Sequence, residues 1–319
     1  MTQASSAEPA IAAILSGDEG GFALYESALR AAELATIPAG LHLGMLRQAG
    51  REKDARRLAD LALRYGADLA PRAGSFLGAE PEVAAEEYEA LIERGEVNAR
   101  MIYRYLLALA RLGRWEEHAR ILAPEALFKV VAIDPGIAEA ADALLLDLEE
   151  QAQPQESAQS VRKMRMASDL DRLDHPAAVQ LLAAISDHTE AYLAYWRASD
   201  HPLGRLVPQT FDVSAWGLIS RGEGYNVPHI HGEGWATGVF YPRSAEGDGG
   251  ELVVGKPEGA PGTDGDWGAR TIKPRAGTLL LFPSYYTHWT VPLNRPGLRT
   301  SVAFDVVSRR GLAPTSPRS

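Results

Sequence analysis

The sequence predicts an α+β chain of 319 residues, an all-α N-terminal part followed by a C-terminal all-β jelly roll. Three observations predict it. Strong helix formers (Ala, Leu, Glu and Arg) dominate up to about Trp196. Seventeen of the 30 glycines fall in residues 205–319. After His201-Pro202-Leu203-Gly204, short apolar or alternating runs are separated by Gly, Pro and Asp, the pattern of short strands. The division therefore falls near residue 200, with a helical domain over 1–200, a β domain over 205–310 and a disordered tail over 311–319.

Within the helical part, Gln48-Ala49-Gly50-Arg51-Glu52 and Arg111-Leu112-Gly113-Arg114-Trp115-Glu116 each read as a glycine turn with an acidic restart between apolar helices. Gly50 and Gly113 are 63 residues apart, close to two tetratricopeptide periods of about 34 residues each. A third turn at Gly78-Ala79-Glu80-Pro81 opens a helix over Glu82–Arg94. These features resemble degenerate tetratricopeptide repeats over about 20–130, with an irregular helical bundle as the alternative. A repeat array offers a concave groove for a peptide or protein partner. A further helix, Pro176 to Trp196, is expected to pack on the β domain.

Eight strands are read at Ser214–Ser220, Tyr225–His231, Trp235–Tyr241, Glu251–Val254, Arg270–Lys273, Thr278–Phe282, Thr287–Pro292 and Arg299–Val307. Eight strands in about 100 residues fit a double-stranded β-helix, the jelly roll that includes cupins. Gly255–Gly268 is too long and polar for a hairpin turn and is read as a surface loop or lid.

Composition narrows the function. With 32 Lys+Arg against 42 Asp+Glu, the net charge of −10 argues against nucleic acid or an anionic membrane as partner. The absence of cysteine removes disulfide scaffolds, Cys-ligated zinc, iron–sulfur clusters and Cys nucleophiles. No apolar run has membrane-spanning length, and the first residues lack a signal-peptide pattern, so a cytoplasmic location is expected.

Three of the eight histidines lie in the β domain: His229, His231 and His288. Period-two alternation puts His229 and His231 on one face of a strand, where two imidazoles can meet one metal. His288 arrives from a later strand. Arg299 and Ser301 share one face of the last strand with Ala303. An arginine turned into an apolar barrel is costly unless it meets an anion, and a guanidinium fork suits a carboxylate. A rival ligand pair, His231 and Glu233, shares the same strand face. Asp305 is read as a strand or surface residue, and Val161-Arg162-Lys163-Met164-Arg165 as a solvated linker. The remaining histidines carry no ligand-like pairing, and Trp235, Trp267 and Trp289 are core or pocket residues.

The order Tyr225-Asn-Val-Pro-His229-Ile-His231, Thr237-Gly-Val-Phe-Tyr241, Gly249-Gly250-Glu-Leu, Pro274-Arg-Ala-Gly277-Thr-Leu-Leu-Leu-Phe282-Pro283, His288 and Arg299-Thr-Ser301 resembles the Fe(II)/2-oxoglutarate-dependent oxygenases. The likeness is to their prolyl-hydroxylase-like bacterial branch and covers about residues 210–308. It implies Fe(II) held by His229, His231 and His288. Arg299 would clamp the distal carboxylate of 2-oxoglutarate, with Ser301 and Tyr241 as lesser contacts. His231 stands where the family usually has a carboxylate.

The resemblance implies hydroxylation of an unactivated C–H bond with dioxygen, and no catalytic residue beyond the metal ligands. The helical part, as in aspartyl/asparaginyl hydroxylases, suggests a peptide or protein side chain as substrate. Two other readings stand beside it. One is a three-histidine cupin-type iron dioxygenase without 2-oxoglutarate. The other is a non-catalytic helical adaptor with a structural jelly roll.

Overall fold

The computed structural model describes residues 7–31, 37–70, 80–155, 160–245, 247–255, 257, 265–293 and 297–309. The turn residues Gly78 and Ala79, most of the 255–268 loop and the 311–319 tail lie outside the described residues. The chain begins with helices α1 (Glu8–Ser16), α2 (Gly20–Ala31), α3 (Ala39–Gln48), α4 (Glu52–Arg64), α5 (Pro81–Arg94), α6 (Ala99–Arg111), α7 (Trp115–Leu122) and α8 (Pro124–Leu127). Neighbouring helices pack in pairs, α1 on α2, α3 on α4, and α5 on α6. Gly50 and Gly113 stand at the expected turns with φ of 71° and 69°. At each, the next N–H donates to a carbonyl five residues back, Arg51 to Leu46 and Arg114 to Leu109. This closes the helix ends as a left-handed glycine allows and a side chain resists. No described helix is long and apolar enough to cross a membrane.

The expectation of helix throughout 1–200 is corrected between 129 and 167. Strands β1 (Lys129–Ala132), β2 (Gln153–Gln155), β3 (Val161–Arg162) and β4 (Met164–Ala167) lie there, around α9 (Pro135–Asp147). They are too short to show period-two alternation, and each is made by the sheet edge it pairs with rather than by its own pattern. Apart from the bend at Lys163, the basic run at 161–165 is therefore strand, and Arg165 donates to the Glu149 and Glu150 carbonyls just beyond the end of α9. After α10 (Pro176–Ala198) come β5 (Phe211–Ser220), β6 (Tyr225–Asn226), β7 (Ala236–Arg243), β8 (Leu252–Val254), β9 (Arg270–Ile272), β10 (Thr278–Pro283), β11 (His288–Thr290) and β12 (Arg299–Ser308). Each overlaps one of the eight strands read in the sequence. The second strand is shorter than expected: regular pairing ends at Asn226, and a single bridge joins His229 to His288.

All strand pairs are antiparallel. The larger sheet runs β1-β10-β7-β12-β5-β4-β2, and the smaller runs β11-β8-β9. The β3–β6 pair and the His229–His288 bridge continue the smaller layer. Helix α9 packs on the outside of the larger sheet, with Leu145 over Gly217. Asp142 of α9 accepts from Thr300 Oγ1 at 2.7 Å and pairs with Arg243. The buried ring of Trp196, near the end of α10, meets Trp235 and Tyr285 at centroid distances of 6.2 and 6.3 Å, as expected for a helix packed on the β domain.

The helical and β parts share polar contacts as well. Tyr285 and Tyr286 donate to the Ile121 and Leu122 carbonyls at the end of α7. His118 of α7 is fully buried between Trp115 and Trp267.

Candidate active site

Between the two sheets lies a cavity of about 680 Å³. Alternation along β12 turns Arg299, Ser301, Ala303 and Asp305 into it from the larger sheet, while Leu252, His288 and Thr290 face it from the smaller. The three histidines meet there. One ring nitrogen from each of His229, His231 and His288 lies within 4.8 Å of the other two. The cluster contains no carboxylate among the described residues, so Glu233 stands outside it.

Each imidazole has its Nδ1 beside an oxygen. His229 Nδ1 is 2.8 Å from the Val227 carbonyl, and His288 Nδ1 is 3.1 Å from that of Tyr286. His231 Nδ1 lies 2.7 Å from Asp305 Oδ1, at an angle too oblique for a full hydrogen bond. An Nδ1–H held by an oxygen leaves Nε2 as a bare lone pair. His231 Nε2 and His288 Nε2 stand 3.2 Å apart, a contact that no proton bridges in this tautomer.

Burial favours the neutral form of His229 and His288. Burial pushes the His229 pKa down to about 4, with His231 beside it acting in the same direction. His288 is held well below the usual imidazole range, again by burial first. Trp216 stacks on His231 at a centroid distance of 5.8 Å, and Phe282 sets its edge against His288 at 5.1 Å. These rings restrict the imidazoles to the orientation in which they converge.

Arg299 is 3% exposed. Nη2 donates to the Gly224 carbonyl at 3.0 Å and Nη1 to that of Gly250 at 3.4 Å. No carboxylate pairs with it among the described residues. Met164, on the β3–β4 strap, closes over the guanidinium at 3.8 Å. Burial pushes the Tyr241 hydroxyl up to about 12, opposed by the Arg299 charge, so it stays protonated beside that cation. Ser301 lines the same stretch of wall. A buried guanidinium held only by neutral carbonyls is a site for an anion. The Gly249-Gly250 pair seen in the sequence has a role here. Gly250 has φ 75°, and a Cβ on it would lie 3.3 Å from Arg299 Nη1 and 2.8 Å from Leu293.

Residues 214–305 match the family model described as putative 2OG-Fe(II) oxygenase. The chain carries a 2OG-Fe(II) oxygenase domain. Its cofactors are Fe(II) and the co-substrate 2-oxoglutarate. The residues present fit the metal on their own geometry. Two nitrogens each about 2.1 Å from one ion stand about 3.0–3.4 Å apart at bond angles of about 90–109°, and the Nε2 pair at 3.2 Å falls in that range. Imidazoles oriented through Nδ1 suit ferrous iron.

Among solved structures, a Pseudomonas putida prolyl-4-hydroxylase is 17% identical, with 59% of this chain and 97% of that one covered and a TM-score of 0.41. A Trichoplax adhaerens prolyl hydroxylase in complex with a hypoxia-inducible-factor peptide fragment is 15% identical, covers 65% and 96%, and scores 0.43. HygX from Streptomyces hygroscopicus, with nickel and 2-oxoglutarate bound, is 13% identical, covers 60% and 87%, and scores 0.39. At these scores no property passes from them to this chain. No curated protein matches it.

Three residues that line the cavity escaped the sequence reading. Asp305 continues the period-two series from Arg299, Ser301 and Ala303 and so had a signal. Trp216 had none beyond its place in a strand. Arg100 comes from the helical part and lines the same cavity.

Proposed function

We propose that the domain hydroxylates an unactivated C–H bond on a peptide or protein side chain, with His229, His231 and His288 as the iron ligands. The chemistry that Fe(II) and 2-oxoglutarate supply is oxidation of the co-substrate by dioxygen, so that R–H becomes R–OH while 2-oxoglutarate becomes succinate and carbon dioxide. The chain's own groups do the rest. Val227 and Tyr286 carbonyls and the Asp305 carboxylate orient the imidazoles. Arg299 binds the distal carboxylate, assisted by the Tyr241 and Ser301 hydroxyls. The sheet walls and the β3–β4 strap exclude water around that ion pair, which strengthens it.

The observation that carries the 2-oxoglutarate reading is the buried Arg299 guanidinium, matched only by neutral carbonyls. A three-histidine dioxygenase without the co-substrate gives that cation no task, and neither does a metal-free adaptor. The helical part is read as degenerate tetratricopeptide-like repeats ending near α7, on the glycine turns at 50 and 113. A cytoplasmic setting accords with a chain that has no cysteine.

The test is anaerobic. Addition of 2-oxoglutarate to the Fe(II)-loaded protein is expected to produce a visible metal-to-ligand charge-transfer band, weakened in Arg299→Ala at equal co-substrate. Iron binding without the band would favour the dioxygenase that needs no 2-oxoglutarate, and no iron binding would favour the adaptor.

A further inference from the structure

We propose that Arg100, on the helical part, anchors a carboxylate of the substrate, so that the side chain or terminus entering this cavity is acidic. The inference rests on the reading of the cavity as the oxygenase site. Arg100 is the second residue of α6, and the start of that helix is fixed. Asn98 accepts from Met101 N–H at 3.1 Å and donates to the Ala67 carbonyl at 2.9 Å. Arg100 Nε donates to the Gly66 carbonyl at 3.1 Å, which holds the guanidinium by one edge and leaves both Nη groups without a partner among the described residues.

That guanidinium lies against the backbone beside the histidine cluster. A Cβ on Gly232 would stand 2.8 Å from Arg100 Nη2 and 3.1 Å from Cζ and Nε. The glycine that follows His231 therefore makes room for the arginine at the cavity wall. Most arginines of the helical part hold a carboxylate: Arg47, Arg51, Arg56, Arg57, Arg94, Arg104 and Arg114 all do. Arg100 holds none among the described residues. Asp68, its acidic neighbour in the helical part, is taken by Arg104 and Tyr88. Glu233 acts on it only through space.

Arg100 is also placed away from the co-substrate clamp. It sits by Gly232 and Glu233, at the end of the cavity where His231 meets Asp305. Asp305 is six residues along β12 from Arg299, about 20 Å at the rise of an extended strand. Arg299 is enclosed instead by Gly224, Gly250 and Met164. The cavity thus presents two cations, one deep and sealed by the strap, the other at the helical wall. A half-buried guanidinium with both Nη groups free recognises a carboxylate through paired, charge-assisted hydrogen bonds. The helical part would then complete the substrate site as well as offer a docking surface.

The experiment uses the full chain, loaded anaerobically with Fe(II) and saturating 2-oxoglutarate, titrated calorimetrically with N-acetyl-aspartate and N-acetyl-glutamate and with the matching amides. The acids are expected to bind and the amides to bind about 10- to 100-fold more weakly, the range for losing charge-assisted hydrogen bonds. Arg100→Gln should abolish the discrimination, Arg100→Lys should restore part of it, and 2-oxoglutarate affinity should stay constant in both. Equal binding of acids and amides, discrimination that survives Arg100→Gln, or no binding of the acids to the wild type would overturn the proposal. A wild type that fails to bind 2-oxoglutarate would instead sink the oxygenase reading beneath it.

Discussion

Asp305 and Arg299 are the residues on which the proposed chemistry depends most sharply after the histidines. Asp305 Oδ1 lies 2.7 Å from His231 Nδ1. Removing its charge in Asp305→Asn should lower metal affinity by about 10- to 100-fold, the usual effect of losing a carboxylate behind a ligating imidazole. Titration with Fe(II) or Co(II) measures it, and an unchanged affinity would remove Asp305 from the site. Arg299→Lys keeps the charge and loses the fork. It should weaken 2-oxoglutarate by about 10-fold or more while leaving metal affinity alone, read by co-substrate titration of the charge-transfer band. Much of this was legible before the structure, because alternation alone sends His229 and His231 one way and Arg299 and Ser301 into the barrel. Asp305 obeyed the same rule. It reads only as a strand or surface residue because the sequence does not tell which histidine the far end of β12 reaches.

At the scale of elements, the β domain leaves little room for change at its crossing points. Gly238 of β7 sits between β10 and β12, and a Cβ there would stand 2.5 Å from the Leu280 carbonyl oxygen and overlap the Phe304 ring. Gly238→Ala should therefore cost about 1–3 kcal/mol, as overpacking does. A thermal midpoint within a degree of the wild type would contradict that packing. The eight jelly-roll strands could be read because Gly, Pro and Asp punctuate them. Strands β1 to β4 could not, since Lys129-Val-Val-Ala and Met164-Arg-Met-Ala have no alternation of their own to announce them. They become strands by pairing with β10 and β5. The β3–β4 strap also bears on the proposed clamp, because its Met164 closes over Arg299.

For the whole molecule, the join between the helical and β parts is expected to weaken in acid. Burial between Trp115 and Trp267 pushes the His118 pKa down to about 4, against a small opposing pull from Asp266. Its ring nitrogens have no hydrogen-bond partner among the described residues. The unfolded chain takes up this proton near pH 6.5 and the folded chain only near pH 4. The stability is thus complete above pH 6.5 and is lost as the pH falls toward 4. Between pH 7 and pH 5 this one group accounts for about 2 kcal/mol. Thermal melts should show a smaller acid-induced drop in His118→Phe than in the wild type, and equal drops would remove His118 as the cause. The sequence showed His118 only as a histidine in helical text, because its partner Trp267 is 149 positions away. One cavity gathers three imidazoles and a buried guanidinium. A crystal structure of the chain with Mn(II) and 2-oxoglutarate bound is expected to place the metal on His229, His231 and His288, with the distal carboxylate of the co-substrate on Arg299. A metal ligated by Glu233 in place of His229, or a co-substrate bound away from Arg299, would contradict that placement.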